Sequence, residues 1–204
     1  MKTKESSDEL NATATAAAVR ADARSPRSAS DYLALVIATC GVGYLPVAPG
    51  TFGSLVGVGV YLLLRALFLT WLWPTGQNAT LDLTRLGYSM VALELIAIVC
   101  IALVGIWAGT RTEKLVGKKD PGKVVIDEVA GQMLALVAVP LGFSTWWTIA
   151  LAFVLFRLFD IVKPYPARRL ESLKSGLGIM ADDIVAGAYA AVAVTVVVTI
   201  SYLI

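Results

Sequence analysis

The chain has 204 residues, of which 57% are hydrophobic and only 16% charged, and its mean hydropathy is +0.75; soluble domains are about 45–50% apolar and about 25% charged. This excludes an ordinary water-soluble globule, and the length leaves room for one domain. A net charge of +2, distributed as in a membrane protein rather than as a patch, gives no reason to expect nucleic acid as a partner.

Residues 1–30 are rich in Ala, Ser, Thr and charge and hold no apolar run. They read as a disordered tail rather than a cleaved leader, with an amphipathic surface helix over 9–23 as the alternative. One helical domain over 31–204 follows. It opens on a short apolar stretch at 32–40, which could span, re-enter or lie on the surface. Segments approaching or exceeding the roughly 20 residues of a bilayer crossing then run over 53–73, 86–109, 124–143, 146–162 and 184–204. No strand is expected, because a helix satisfies its own backbone inside lipid. The fold class is therefore all-α: a multi-pass helical membrane protein with four to five membrane helices. Cys40 and Cys100 sit in apolar stretches and read as small packed side chains.

Charge sets the orientation. Lys2, Lys4, Arg20, Arg24 and Arg27 precede the first span. Arg111, Lys114, Lys118, Lys119 and Lys123 follow the second, and Lys163, Arg168, Arg169 and Lys174 follow the fourth. All fall on one side, whereas the other side has only Arg65 and Arg85, so the basic side is expected to be cytoplasmic. Trp71, Trp73, Trp146 and Trp147 cluster at predicted ends on one side, as an aromatic belt would.

Five carboxylates meet water on that basic side. Asp127 and Glu128 open the third span, Asp160 closes the fourth, and Asp182 and Asp183 open the fifth. Charge beside hydrocarbon costs at least about 2.5 kcal/mol per residue, so such groups usually mark a site. The glycine-rich residues 41–54 precede the first full span on the same side. Simpler readings exist for each part. Asp182 or Asp183 could cap a helix after the Ser175–Gly178 loop, Asp160 could pair with Arg157 or Lys163 three residues away, and the glycines could form a plain turn. Capping and solvation account for one pair of acids better than for all five.

Together these residue types suit phosphoryl chemistry. Mg²⁺ takes carboxylate, water and phosphate oxygens and could use Asp127, Glu128, Asp160, Asp182 and Asp183. Backbone N–H groups around Gly53, with the hydroxyls of Thr51 and Ser54, could receive a phosphate. Arg157 and Lys163 could neutralise developing charge. The general base is expected among the carboxylates Asp127, Glu128, Asp160 and Asp183. The predicted activity is hydrolysis of a phosphomonoester on a lipid headgroup. The chain has no histidine, which excludes histidine-dependent phosphatases, and neither cysteine starts a Cys-x₅-Arg loop. The dehalogenase-like Asp-x-Asp and the CDP-alcohol phosphotransferase signature are missing too. The same acids could instead gate a small membrane transporter or ion-binding protein. Against that, they cluster at one face and the chain has no pair of similar halves.

Four blocks carry a resemblance: Pro49-Gly-Thr-Phe-Gly-Ser-Leu55, Ile126-Asp-Glu-Val-Ala-Gly131, Phe156-Arg-Leu-Phe-Asp-Ile-Val-Lys-Pro-Tyr-Pro166 and Gly178-Ile-Met-Ala-Asp-Asp-Ile-Val-Ala-Gly187. In this order they resemble the phosphatidylglycerophosphatase A family, from about residue 32 to the C-terminus. The resemblance implies Mg²⁺-dependent removal of the terminal phosphate from phosphatidylglycerophosphate at the inner face of the bacterial cytoplasmic membrane. It carries Asp127, Glu128, Arg157, Asp160, Lys163, Asp182 and Asp183 into the site without dividing them into base and ligands. Ile126 departs from the aromatic residue common before the acidic pair, and the tail has no counterpart.

Other residues look structural. Gly131 shares a face with Asp127 and could admit a helix or a phosphate, while Ala186, Gly187, Ala190 and Ala191 form a small packing surface. Arg65 and Glu94 lie within the first two spans, each roughly 12 Å from the outer end of its helix by the helical rise, and are predicted to form a buried ion pair.

Overall fold

The computed structural model describes residues 27–72, 83–139 and 145–203. Among them the chain forms α1 (Ala29–Thr39), α2 (Pro49–Leu72), α3 (Leu83–Val116), α4 (Ile126–Val137), α5 (Trp146–Val162), α6 (Ala167–Leu170) and α7 (Gly176–Leu203), with a 3₁₀ turn at Val42–Tyr44 and no strand. The all-helical expectation is met among the described residues. The tail expected over 1–30 gives way to helix at Ala29, where Asp31 accepts hydrogen bonds from the Ser28 N–H (2.7 Å) and hydroxyl (2.9 Å). The rest of that tail and Trp73 lie outside the described residues.

Three described helices are long and apolar enough to cross a membrane, over Pro49–Trp71, Thr84–Val116 and Gly176–Ser201. The expected span over 124–143 differs most from the structure. Helix α4 has 12 residues, a rise of about 18 Å against a hydrocarbon core of about 30 Å. It packs against α2, α3, α5 and α7, and Ile126, Val129, Ala130, Met133 and Leu136 are all buried. Beyond its acidic first turn the segment is apolar except for Gln132 because protein surrounds it, and sequence alone does not separate such a helix from a lipid-facing one.

Two glycines bring α4 and α7 into backbone contact. A Cβ on Gly187 would run into the Gly131 carbonyl, and one on Gly131 would lie 2.6 Å from the Asp183 carbonyl oxygen and against the Phe156 ring. Gly131 is one turn from Asp127 and Gly187 one turn from Asp183. The crossing therefore sets the separation of these two acids. Gly131 admits a helix here, not a phosphate. A valine at 131 has no space to enter without spreading the helices; overpacking of this kind costs typically 1–3 kcal/mol. Gly131→Val is expected to lower the melting temperature in detergent and to reduce whatever turnover the folded fraction supports at the acids. An unchanged melt and turnover would show that the crossing tolerates separation.

On the opposite face of α4, Gly53 and Gly57 of α2 lie against Val125 and Val129. The N-terminal end of α4 is tied to α1, where the Val125 N–H donates to the Ala38 carbonyl at 2.8 Å. Its C-terminal end is tied to the predicted ion pair, which forms: Arg65 Nε lies 2.8 Å from Glu94 Oε1. Arg65 Nη2 donates to the Val139 carbonyl at 2.6 Å, and its guanidinium stacks 4.3 Å from the Tyr61 ring centre. Both charged residues are buried. Trp71 and Trp146, at the ends of α2 and α5 remote from the acids, are 78% and 83% exposed, as membrane-boundary aromatics would be.

Candidate active site

The acids come together at the mouth formed by the starts of α4 and α7 and the end of α5. Asp127 and Glu128 occupy the first turn of α4, where the helix dipole favours negative charge. Asp182 and Asp183 do not cap α7, because that helix begins earlier, at Gly176. They lie in its second turn, both buried. Ligand oxygens of Asp127, Glu128 and Asp183 all lie within 4.8 Å of one another. Asp127, Glu128, Asp160, Asp182, Asp183 and Lys163 all line one cavity of about 140 Å³, which Lys119, Asp120 and Glu171 complete.

The basic residues divide between the acids in a way their spacing leaves open. Arg157 Nη1 pairs with Asp160 Oδ2 at 2.7 Å. Lys163 ends α5 in a left-handed conformation (φ 48°), which turns it off the helical face it would share with Asp160. Its Nζ instead donates to Asp182 Oδ2 at 2.6 Å, with Glu171 Oε2 at 3.7 Å. Burial opposes charge on Lys163, but the hydrogen bond to Asp182 and the charges of Asp182, Glu171 and Asp183 outweigh it. The ammonium is held well above the ordinary lysine range. Asp120 is pushed upward by partial desolvation at the cavity, with Lys163 pulling the other way.

The glycine-rich approach is arranged differently from the phosphate cradle expected of it. Ser54 is buried and spends its hydroxyl on the Gly50 carbonyl at 3.0 Å. The Thr51 N–H donates to the Ala48 carbonyl at 3.0 Å, and Gly53 is filled by Val125. None of Thr51, Gly53 and Ser54 lines the cavity, and Arg157 stands behind Asp160. Gly50 is closer to the chemistry. A Cβ there would strike Glu128 Oε1 and lie 3.1 Å from Arg157 Nη1. Sequence reasoning passed over Gly50, Asp120 and Glu171. The block Pro49–Leu55 signalled the first; the other two lie in loops whose approach to the cavity has no local signal.

The chemistry of this donor set fits a hard divalent cation. Asp127 Oδ1 and Glu128 Oε2 are buried without a hydrogen-bond partner. Three carboxylates this close repel one another by about 3 kcal/mol per pair at an effective dielectric of about 20, which an ion between them would reverse. Asp182 also has a buried Oδ1 without a partner. Its Oδ2 is spent on Lys163, however, and it lies outside the group of three whose oxygens approach within 4.8 Å, so it is less suited to the same ion.

Fold and site together define a helical membrane protein that gathers carboxylates and two lysines, Lys119 and Lys163, in a cavity at one end of its bundle. The sequence profile described as Phosphatidylglycerophosphatase A matches residues 35–198, and the chain belongs to that family. A Bacteroides thetaiotaomicron protein named as a candidate phosphatidylinositol-3-phosphatase is 37% identical over 81% of this chain and 93% of its own length. Proteins named phosphatidylglycerophosphatase A from Haemophilus influenzae and Escherichia coli are 36% and 34% identical. They are covered over 81% and 74% of their lengths, and this chain over 76% and 74%. No solved structure matches the chain.

Proposed function

We propose that this lipid phosphatase hydrolyses the terminal phosphomonoester of phosphatidylglycerophosphate, giving phosphatidylglycerol and phosphate. The observation that carries the reading is the approach of Asp127, Glu128 and Asp183 to within 4.8 Å beside Lys163, in a family of this name. Asp127, Glu128 and Asp183 would hold Mg²⁺, which when bound polarises phosphoryl oxygens and offsets their charge. Lys163, fixed by Asp182, faces the phosphate and attracts it into the cavity. Asp160, oriented by Arg157, takes the proton from the attacking water. The water oxygen bonds to phosphorus, the bond from phosphorus to the glycerol oxygen breaks, and that oxygen receives the proton.

The topology proposed with this chemistry places the mouth in the cytoplasm at the bacterial inner membrane, on the side of the basic loops. Helix α3 ends at the mouth and α5 starts at the opposite end. The chain between them must therefore return across the bundle, with α4 as its buried part. With α2, α3, α5 and α7 this makes five passages.

The test is phosphate release by purified protein in mixed micelles from phosphatidylglycerophosphate, phosphatidylinositol-3-phosphate and phosphatidic acid, with Mg²⁺ and with EDTA. Metal-dependent release preferring the first is expected. Preference for the inositol lipid would assign the substrate suggested by the Bacteroides relative's name. No release from any of them by a folded preparation would sink the phosphatase reading and return the transporter alternative.

A further inference from the structure

A second cavity, of about 490 Å³, opens between α1 and the last turns of α3, and it shares no lining residue with the carboxylate mouth. Its long wall is one face of α3: Leu103, Ile106, Trp107, Thr110, Arg111 and Lys114. These follow helical spacing over a rise of about 16 Å. The wall changes character along its length. Leu103 and Trp107 are 63% and 40% exposed, whereas Arg111 and Lys114 provide cations at the end nearest the mouth. That end is fixed by the packing, since Gly176 at the start of α7 abuts Ile106 and donates its N–H to Thr110 Oγ1 at 3.1 Å.

Charge in the groove favours an anion. Asp31, the only carboxylate in the lining, is spent on Arg111 Nε at 2.6 Å and on Ser28. Arg111 remains partly exposed, and Lys114 has no ion pair or hydrogen bond among the described residues. Two cations against one carboxylate leave the groove at +1. An apolar wall with exposed tryptophan leading to an unpaired ammonium matches an acyl chain followed by a phosphodiester at the headgroup layer.

We propose that this groove binds one anionic diacyl phospholipid of the surrounding leaflet, distinct from the substrate. The phosphodiester sits against Lys114 and Arg111, and an acyl chain lies along Leu103, Ile106 and Trp107. The site keeps an anionic lipid beside the enzyme whether or not the catalytic cavity is filled.

Detergent-purified protein is mixed with equal phosphatidylserine and phosphatidylcholine, and retained lipid is counted by native mass spectrometry. Phosphatidylserine is chosen because it carries no phosphomonoester. About one phosphatidylserine per chain is expected in excess over phosphatidylcholine. Lys114→Glu should reduce that retention roughly tenfold or more, since a cation near an anionic headgroup is worth about a factor of five and reversal removes it twice. Lys114→Gln should lose less in the same direction, and Lys163→Gln at the catalytic mouth should lose none. Equal retention of the two lipids, or full retention in both Lys114 variants, would overturn the proposal. Loss in Lys163→Gln but not in Lys114→Glu would move the lipid to the catalytic cavity and overturn it equally.

Discussion

Asp127→Asn should reduce phosphate release at least about 10³-fold while leaving the protein folded. The magnitude corresponds to about 4 kcal/mol of transition-state stabilisation, the scale on which charge-stabilising groups act in a water-poor site. Asparagine keeps the shape of the side chain but removes one of three carboxylates whose oxygens lie within 4.8 Å. Two consequences follow from the same electrostatics. Without metal, the variant loses a mutual repulsion, so its melting temperature should equal or exceed that of the wild type. With Mg²⁺, the wild type should be stabilised by mass action and the variant much less. Asp183→Asn, across the Gly131–Gly187 crossing, should behave alike. Asp182→Asn should differ: with its carboxylate engaged by Lys163, it should keep most of the Mg²⁺-induced stabilisation while losing turnover. A metal-free destabilisation of Asp127→Asn, or the same Mg²⁺ response in all three variants, would contradict the division of roles drawn from the geometry.

The sequence carried the long elements and the identity of the acids more clearly than their partners. Apolar runs marked α2, α3, α5 and α7, and the limits expected for α5 coincide with Trp146–Val162. Starts were less legible. Helix α7 begins at Gly176, eight residues ahead of the expected 184, because two glycines and the pair Asp182 and Asp183 break the hydropathy signal without breaking the helix. The earlier start also removes the alternative reading of Asp182 or Asp183 as a helix cap. For α5, periodicity put Arg157, Asp160 and Lys163 on one face, and this held only for the first two, since left-handed backbone at Lys163 is decided by the chain end and not by spacing. The placement of Asp120 and Glu171 at the cavity depends on how loops fold over the mouth, and nothing in a window of sequence reports it. The Arg65–Glu94 pair was legible for the opposite reason. In apolar surroundings each charge is so costly alone that the other was its natural partner.

That pair makes the second large prediction. Arg65→Leu should destabilise the protein by about 3–5 kcal/mol, because it leaves Glu94 charged and buried without its partner. It also removes the donor to the Val139 carbonyl, an additional loss of about 1–3 kcal/mol where that group stays dry. Glu94→Leu should be damaging through the stranded guanidinium, though Arg65 keeps the carbonyl and the Tyr61 ring. The double variant Arg65→Leu/Glu94→Leu should recover most of the loss, since two well-packed apolar side chains can replace a buried pair at little cost. Melting of the four proteins in one detergent measures the coupling. A double variant as unstable as Arg65→Leu would transfer the cost to the Val139 bond, and a neutral Arg65→Leu would make the pair inert. The pair lies about 18 Å along α4 from Asp127 by the helical rise, so turnover per folded molecule should change little in the double variant. Helix α4 is too short to be held by lipid alone. It is fixed near the acids by α1 and the glycine contacts, and at the other end by a charge reaching from α2. A site built on three repelling carboxylates needs such support, because nothing in the carboxylates themselves holds them together.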